Sequence, residues 1–264
     1  MPEVSLVTAS FVTRELGFGP LRDWGQGDSA TQAFFAPIET YEVRFNRLLD
    51  DILAIGFRTI DLWGAHLHYE WATDSHFAIA REALDRHAIT VNSLAAWCSS
   101  REALEGFCRV AGEVGSHMIG GGSSLLTDDR DYALGVLSDC GIRFAIENHP
   151  EKSTAEVLDV IGDSESLGSC ADSGWWAIQG VHPPTAFREL GARILMVHLK
   201  DVEATTGKGR RPGTGDADIA GCLRALTEVG YEGALGLEHE PDGWDPTEDL
   251  RVGFEILTEW AETN

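Results

Sequence analysis

The sequence predicts an α/β protein folded as a (β/α)8 TIM barrel, and three observations carry the prediction. Short aliphatic or β-branched runs alternate with helical patterns along the whole chain, as consecutive parallel βαβ units require. Eight such runs are present, enough to close a barrel. Four runs in the C-terminal half each end in a side chain that can bind a metal: Phe144-Ala-Ile-Glu147, Cys170-Ala-Asp172, Ile194-Leu-Met-Val-His198 and Ala234-Leu-Gly-Leu-Glu238. These ends are spaced by 25 residues (147 to 172), 26 (172 to 198) and 40 (198 to 238), close to what one strand-plus-helix unit needs. A doubly wound open sheet is the alternative, but no Gly-x-Gly-x-x-Gly follows the first strand and no P-loop occurs.

The first strand is expected over Val4–Ala9, followed by a long connection rich in glycine and aromatics from Gly17 to Phe35. A helix begins near Glu39, where Phe45, Leu48, Leu49, Ile52 and Leu53 recur at helical spacing, and Gly56 ends it. The second strand is expected over Phe57–Trp63, the third over Ala88–Ala95 and the fourth over His117–Gly120, with helices near Asp74–Arg86 and Ser100–Val114 between them. Asp129–Cys140 leaves room only for a short helix or a tight connection before the fifth strand, Ile142–Glu147. Leu167–Asp172, Arg193–His198 and Ala234–Glu238 complete the eight strands. Helices fill the intervals near Thr154–Ile161, Pro184–Leu190, Ile219–Val229 and Pro246–Ala261.

Length and composition agree with one domain over 1–264: 43% hydrophobic residues can bury one large core, and barrels reach this length as single units. The 20 basic against 43 acidic side chains give a net charge of −23, which repels phosphate backbones and anionic membrane surfaces and argues against nucleic-acid binding. Five cysteines without a C-x-x-C pair read as buried free thiols in a reducing compartment. The opening Met1-Pro-Glu-Val-Ser-Leu-Val has no basic n-region, and no run of about 18 apolar residues occurs, so a cytoplasmic protein with no membrane partner is expected.

A polar residue at the end of one strand is ordinary, but four in successive strands point to a site. Glu147, Asp172, His198 and Glu238 offer oxygen-rich ligands plus one nitrogen, a set suited to Mn²⁺, Mg²⁺ or Co²⁺ that also permits Zn²⁺. Glu240 shares Glu238's face two residues on, and Glu238, inside the apolar run, is the better candidate. His149 shares the alternation of Glu147. His66, and less strongly His68, follow the second strand, where an imidazole can reach over a substrate. Trp63, Trp97, Trp175 and Trp176 fall at or just past strand ends and can face the apolar side of a sugar ring. Lys208, Arg210 and Arg211 lie in a Gly-rich stretch that can close over an anion or stand solvated. Neither a cysteine with a paired base nor a serine nucleophile elbow is present.

Ile146-Glu-Asn-His-Pro150, Ala171-Asp-Ser-Gly-Trp175, Val197-His-Leu-Lys-Asp201, Gly213-Thr-Gly-Asp-Ala-Asp218 and Gly230-Tyr-Glu-Gly-Ala-Leu-Gly-Leu-Glu238 resemble the xylose isomerase-like barrel superfamily. This sugar phosphate isomerase/epimerase group also contains inosose dehydratases and endonuclease IV. The resemblance implies that Glu147, Asp172, His198 and Glu238 bind one divalent ion, Mn²⁺ first. It also implies that Glu147 and Glu238 move a proton next to a carbonyl through an enediolate, with His66, Trp63, Trp97, His149, Trp175 and Lys200 around a small sugar or cyclitol. Ketose 3-epimerases carry a histidine where this chain has Trp175 and an arginine where it has Ala204, so the match to that subgroup is incomplete. An inosose dehydratase-like lyase and a non-catalytic sugar- or partner-binding barrel are the rival expectations. Barrels of the group often associate, which leaves a homo-oligomer open, and no feature of the sequence specifies an interface.

Overall fold

In the computed structural model, which describes residues 2–263, eight parallel strands close into one barrel. They are β1 (Val4–Val7), β2 (Thr59–Trp63), β3 (Thr90–Ala95), β4 (Met118–Gly121), β5 (Arg143–Glu147), β6 (Leu167–Asp172), β7 (Ile194–Lys200) and β10 (Leu235–Glu238), with closure where β1 pairs with both β10 and β2. The pair β8 (Val202–Glu203) and β9 (Lys208–Gly209) forms a separate antiparallel ribbon. Strands β2, β6 and β10 are buried at every position, as expected where the barrel interior lies on one side and helices on the other.

The outer layer is α1 (Trp24–Phe35), α2 (Ile38–Ile55), α3 (Asp74–His87), α4 (Arg101–Glu113), α5 (Leu125–Asp128), α6 (Arg130–Cys140), α7 (Thr154–Ile161), α8 (Ser173–Ile178), α9 (Pro183–Leu190), α10 (Ile219–Val229) and α11 (Thr247–Thr263). Helix α2 shows why they form: Tyr41, Phe45, Leu48, Leu49, Ile52 and Ile55 make one buried stripe against the sheet. Side-chain caps fix several starts, including Ser100, which accepts from the Ala103 N–H at the head of α4, and Ser153, which accepts from Glu156 N–H at the head of α7. No helix among the described residues is long and apolar enough to cross a membrane.

The structure departs from the sequence reading in particular places. The Gly17–Phe35 connection contains α1, capped by Asp23, whose buried stripe is only Gly27, Thr31 and Phe35 and so is too sparse to show as a hydrophobic period. The first strand stops at Val7 and turns through a 3₁₀ segment over Thr8–Phe11. The third begins at Thr90 because Ala88 is the left-handed end of α3. The seventh runs on to Lys200 because its last residues pair with Leu237 and Glu238 of β10. Helix α6 fills the short fourth unit. Trp176, expected to pave the barrel mouth, is fully buried in the core between sheet and helices. Of the five cysteines, Cys98, Cys108, Cys170 and Cys222 are buried as free thiols, but Cys140 at the end of α6 is exposed.

Gly121 ends β4 with φ +148°, and a Cβ there would lie 2.0 Å from the Ala96 carbonyl oxygen. Backbone cannot yield as a flexible side chain does, so Gly121→Ala is expected to lower unfolding free energy by roughly 3 kcal/mol or more, measured by urea denaturation. An alanine variant within 0.5 kcal/mol of the parent would show that the two strand ends separate without cost.

Candidate metal centre

Parallel pairing places the four predicted ligands at one end of the barrel. Asp172 is level with His198, His198 with Gly236, and Glu147 with Cys170. Side chains two apart on a strand share a face, so Glu147, Asp172, His198 and Glu238 all project inward at the C-terminal strand ends. His198 Nδ1 lies 3.0 Å from Glu147 Oε1, 3.2 Å from Glu238 Oε2 and 4.0 Å from Asp172 Oδ2. One ligand atom from each of the four residues lies within 4.8 Å of the others.

Three carboxylates packed in so small a buried space are electrostatically unsatisfied. Asp172 is fully buried; its Oδ1 accepts the Trp175 N–H, capping α8, and its Oδ2 has no hydrogen bond. Glu238 Oε2 is likewise buried and makes no hydrogen bond, with only the 3.2 Å approach of His198 Nδ1 beside it. Burial first, then the neighbouring charges of Glu238 and Glu147, push the Asp172 carboxyl well above its usual range despite Lys200 and His198. Burial alone would lower the His198 pKa, but Cys170, Glu238 and Glu147 outweigh it and raise it well above the usual value. Burial would raise the Glu238 carboxyl, and Lys200 and His198 reverse this, holding it far below the usual range. The orphaned oxygens and the held protons mark a place that fits a divalent cation, which would satisfy the oxygens and displace the protons. Cys170 also approaches Glu147 and His198, but burial pushes its thiol up to about 12, leaving it a neutral neighbour.

Asn148 holds this geometry, and sequence reasoning missed it. Fully buried, it accepts the Asp172 backbone N–H through Oδ1 at 2.7 Å and donates from Nδ2 to the Asp172 carbonyl at 3.1 Å, tying the ends of β5 and β6 together. Gln179 Nε2 donates to the Asn148 carbonyl at 2.9 Å. Its position inside the Glu147-Asn-His149 run was the only signal available.

The ligand cluster opens into a cavity of about 640 Å³. Trp63, Trp97, His149, Trp175 and Lys200 line it. The His149 ring stacks on Trp175 with centroids 3.8 Å apart and 15° between planes, and Trp97 meets His149 edge-on at 5.8 Å. Lys200 Nζ donates to Glu238 Oε1 at 3.2 Å and to Glu240 Oε2, and lies 5.8 Å from the Trp175 ring centre. Burial would lower the Lys200 pKa, yet Glu238, Glu240 and Asp172 raise it well above normal, so the ammonium stays charged. Both inward glutamates thus have distinct places: Glu238 joins the ligand cluster, while Glu240 binds Lys200 and, through Oε1, the Trp24 Nε1–H at 3.0 Å. Trp24, Asp28 and Gln32 complete the wall from α1, the helix that lies within the expected Gly17–Phe35 connection.

His66 is the correction among the expected lining residues. The turn Gly64–His66 swings it behind the wall, 1% exposed, with Nδ1 3.1 Å from Thr8 Oγ1 and its ring against Phe35 and Trp63, and His68 lines the cavity instead. Burial, with Arg14 adding to it, lowers the His66 pKa to about 3. A depressed folded pKa means that the unfolded chain takes up the proton first. The stability contribution is therefore complete above about pH 6.5 and falls by up to about 1.4 kcal/mol per pH unit towards pH 3. His66→Gln is expected to flatten the acid limb of the unfolding free energy by that slope, and identical slopes in the two proteins would contradict a neutral, buried imidazole. The basic stretch also does not reach the cavity: Arg210 pairs with Glu203, Arg211 with Asp249, and Lys208 is exposed on the β8–β9 ribbon.

The family model described as "Xylose isomerase-like TIM barrel" matches residues 49–260. The uncharacterized protein YihM of Escherichia coli K12 is 29% identical over 135 residues, which cover 47% of this chain and 41% of YihM, so the match spans less than half of that relative. Among solved structures, the probable 3-DHS dehydratase AsbF of Bacillus anthracis superposes with a TM-score of 0.65 at 16% identity, covering 97% of this chain and 98% of AsbF. The IOLI protein, solved with a bound zinc atom, superposes with a TM-score of 0.66 at 16% identity, covering 81% and 92%. At these identities the structural likeness establishes the fold.

Proposed function

Because the chain belongs to the xylose isomerase-like TIM barrel family, we propose that it is a divalent-metal-dependent isomerase or epimerase of a sugar or cyclitol, moving a proton at the carbon beside a carbonyl through an enediolate. One observation carries the reading: Glu147 and Glu238 both reach the same imidazole nitrogen, at 3.0 and 3.2 Å, at the floor of an open cavity. Two carboxylates so close can serve one carbon, one removing a proton and the other returning it. Glu147, Asp172, His198 and Glu238 would hold the ion, with Mn²⁺ the best match to three carboxylates and one imidazole. When bound, the ion supplies a Lewis acid that polarises the substrate carbonyl.

The other lining residues position and shield. Trp175, stacked on His149, and Trp97 offer flat apolar surfaces to the C–H face of a ring. Lys200 holds Glu238 Oε1, so that carboxylate keeps one orientation. The depth of Asp172 and His198 keeps bulk water off the carbanionic carbon.

Dehydration is the second reading, since the same enediolate can expel a β-hydroxyl. The superposition on AsbF over 97% of this chain favours keeping it. Incubation of the Mn²⁺-loaded protein with ketoses and inososes in D₂O separates the readings. Deuterium at one carbon with mass otherwise conserved is the expected result for an isomerase or epimerase; loss of water with a new ultraviolet chromophore selects the lyase. Bound metal with no deuterium entering any ligand would sink both and leave a sugar-binding barrel.

A further inference from the structure

The charges around the cavity bear on what it admits. Asp28, Glu147, Glu238 and Glu240 line it, and Asp172 joins Glu147 and Glu238 in the ligand cluster. Lys200 is the only lysine or arginine among the described residues that line it. Its ammonium is taken up by Glu238 and Glu240, with the face of Trp175 beside it. A divalent ion and Lys200 together bring three positive charges to five carboxyl groups, so the loaded cavity has no cationic charge left over for an anion. Arg210 and Arg211 do not add to it, because they are paired outside the cavity.

We infer that the substrate is an uncharged polyhydroxy compound and that Glu240 sets this preference by locking Lys200. The inference rests on the proposed metal-dependent reading and adds the charge class of the substrate. A phosphate ester brings about two negative charges at neutral pH and needs donors to meet them. Lys200 already donates to two carboxylates, and a phosphate approaching its ammonium would have to displace one of them. Asp28 and Glu240 accept hydrogen bonds, which suits hydroxyl groups and opposes phosphate or carboxylate oxygens. Glu240 is fixed for this role from both oxygens, by Lys200 on Oε2 and by the Trp24 Nε1–H on Oε1 at 3.0 Å.

Glu240 is thus a specificity residue distinct from the proton-transferring pair. In a Glu240→Gln variant the amide no longer holds the ammonium as a carboxylate does, and Lys200 can turn one donor toward an anion. The cavity loses one negative charge at the same time.

The test titrates Mn²⁺-loaded protein with inorganic phosphate, D-fructose and D-fructose 6-phosphate, following tryptophan fluorescence and heat. The parent is expected to bind both phosphates weakly, with no saturation at millimolar concentration. Glu240→Gln is expected to bind both at least about tenfold more tightly, the effect of one charge-assisted hydrogen bond. Glu240→Asn, which frees the same ammonium, repeats the measurement if the glutamine variant does not fold. Sub-millimolar binding of either phosphate by the parent would overturn the inference, and so would equal phosphate affinity in parent and variants. Failure of the parent to retain metal would instead strike the underlying functional reading, because the contrast between parent and Glu240 variant is still measurable with phosphate alone.

Discussion

A variant carrying Asp172→Asn with His198→Ala is expected to emerge from dialysis against Mn²⁺ with little bound ion, while the parent retains about one per chain. The reason lies in what the two residues contribute. Asp172 brings a fully buried carboxylate with one oxygen already used by the Trp175 N–H and the other without a partner, and His198 Nδ1 stands among all three carboxylates. Removing both leaves Glu147 and Glu238, which lack the ligand number to compete with water for a hard divalent ion. Solvent deuterium exchange should fall by at least about 10³-fold, since the electrostatic stabilisation of a developing oxyanion is the largest single contribution to such chemistry. The variant should stay folded, because it loses one of three closely packed, mutually repelling carboxylates while Asn148 still ties the strand ends through the backbone of residue 172. Elemental analysis beside circular dichroism reads both. A folded variant that still binds one ion per chain would show that the metal sits elsewhere, and the proposed reaction would lose its basis.

Lys200→Met is expected to cost about 3–5 kcal/mol of stability when measured by urea unfolding in a chelator, because it leaves a buried carboxylate, Glu238, and a half-buried one, Glu240, without their shared cation. Lys200 is 8% exposed, Glu238 is 5% exposed, and the ammonium lies 3.2 Å from Glu238 Oε1 while also bonding Glu240. The double variant Lys200→Met, Glu240→Gln should recover part of this loss, since one of the two stranded charges is gone. Added Mn²⁺ should also recover part of the loss in the single variant by engaging Glu238, which connects the stability of the cavity wall to the ion. If Lys200→Met unfolds at the same urea concentration as the parent, the carboxylates are solvated or protonated in the folded protein, and the lock on Lys200 is not present.

The site was legible to the extent that it lies on strands. Glu147, Asp172, His198 and Glu238 end runs of apolar residues, and parallel strands carry such ends to one rim, so the period of two residues and the direction of the chain were enough to bring the four together. Where the chain leaves the strand, that rule stops. His66 lies three residues beyond β2, and the intervening 3₁₀ turn rotates it behind Trp63, while His68, the weaker candidate from sequence, reaches the cavity. Helix α1 was hidden because it rests on the barrel through only three buried positions, two of them glycine and threonine. Its wall residues, Trp24, Asp28 and Gln32, were hidden with it.

The pattern of the chain settles the number of barrel strands, their direction, the buried stripe of helices such as α2 and the kinds of candidate ligand at the rim, because each of these depends on neighbours within a few residues and on the burial of apolar side chains. Closure of the barrel decides the rest. The hydrogen bond from Trp24 to Glu240 joins residues 216 apart, and that from Lys200 to Glu240 joins residues 40 apart. No local period encodes such pairs. They follow from the register of β7 with β10 and of β10 with β1, which aligns Lys200 with Glu238 and brings α1 over the same rim. That Glu238 faces the candidate ligand cluster while Glu240 holds a lysine, and that the Lys200 ammonium is already engaged, are therefore properties of the packed barrel, set by which strands become neighbours when the sheet meets itself.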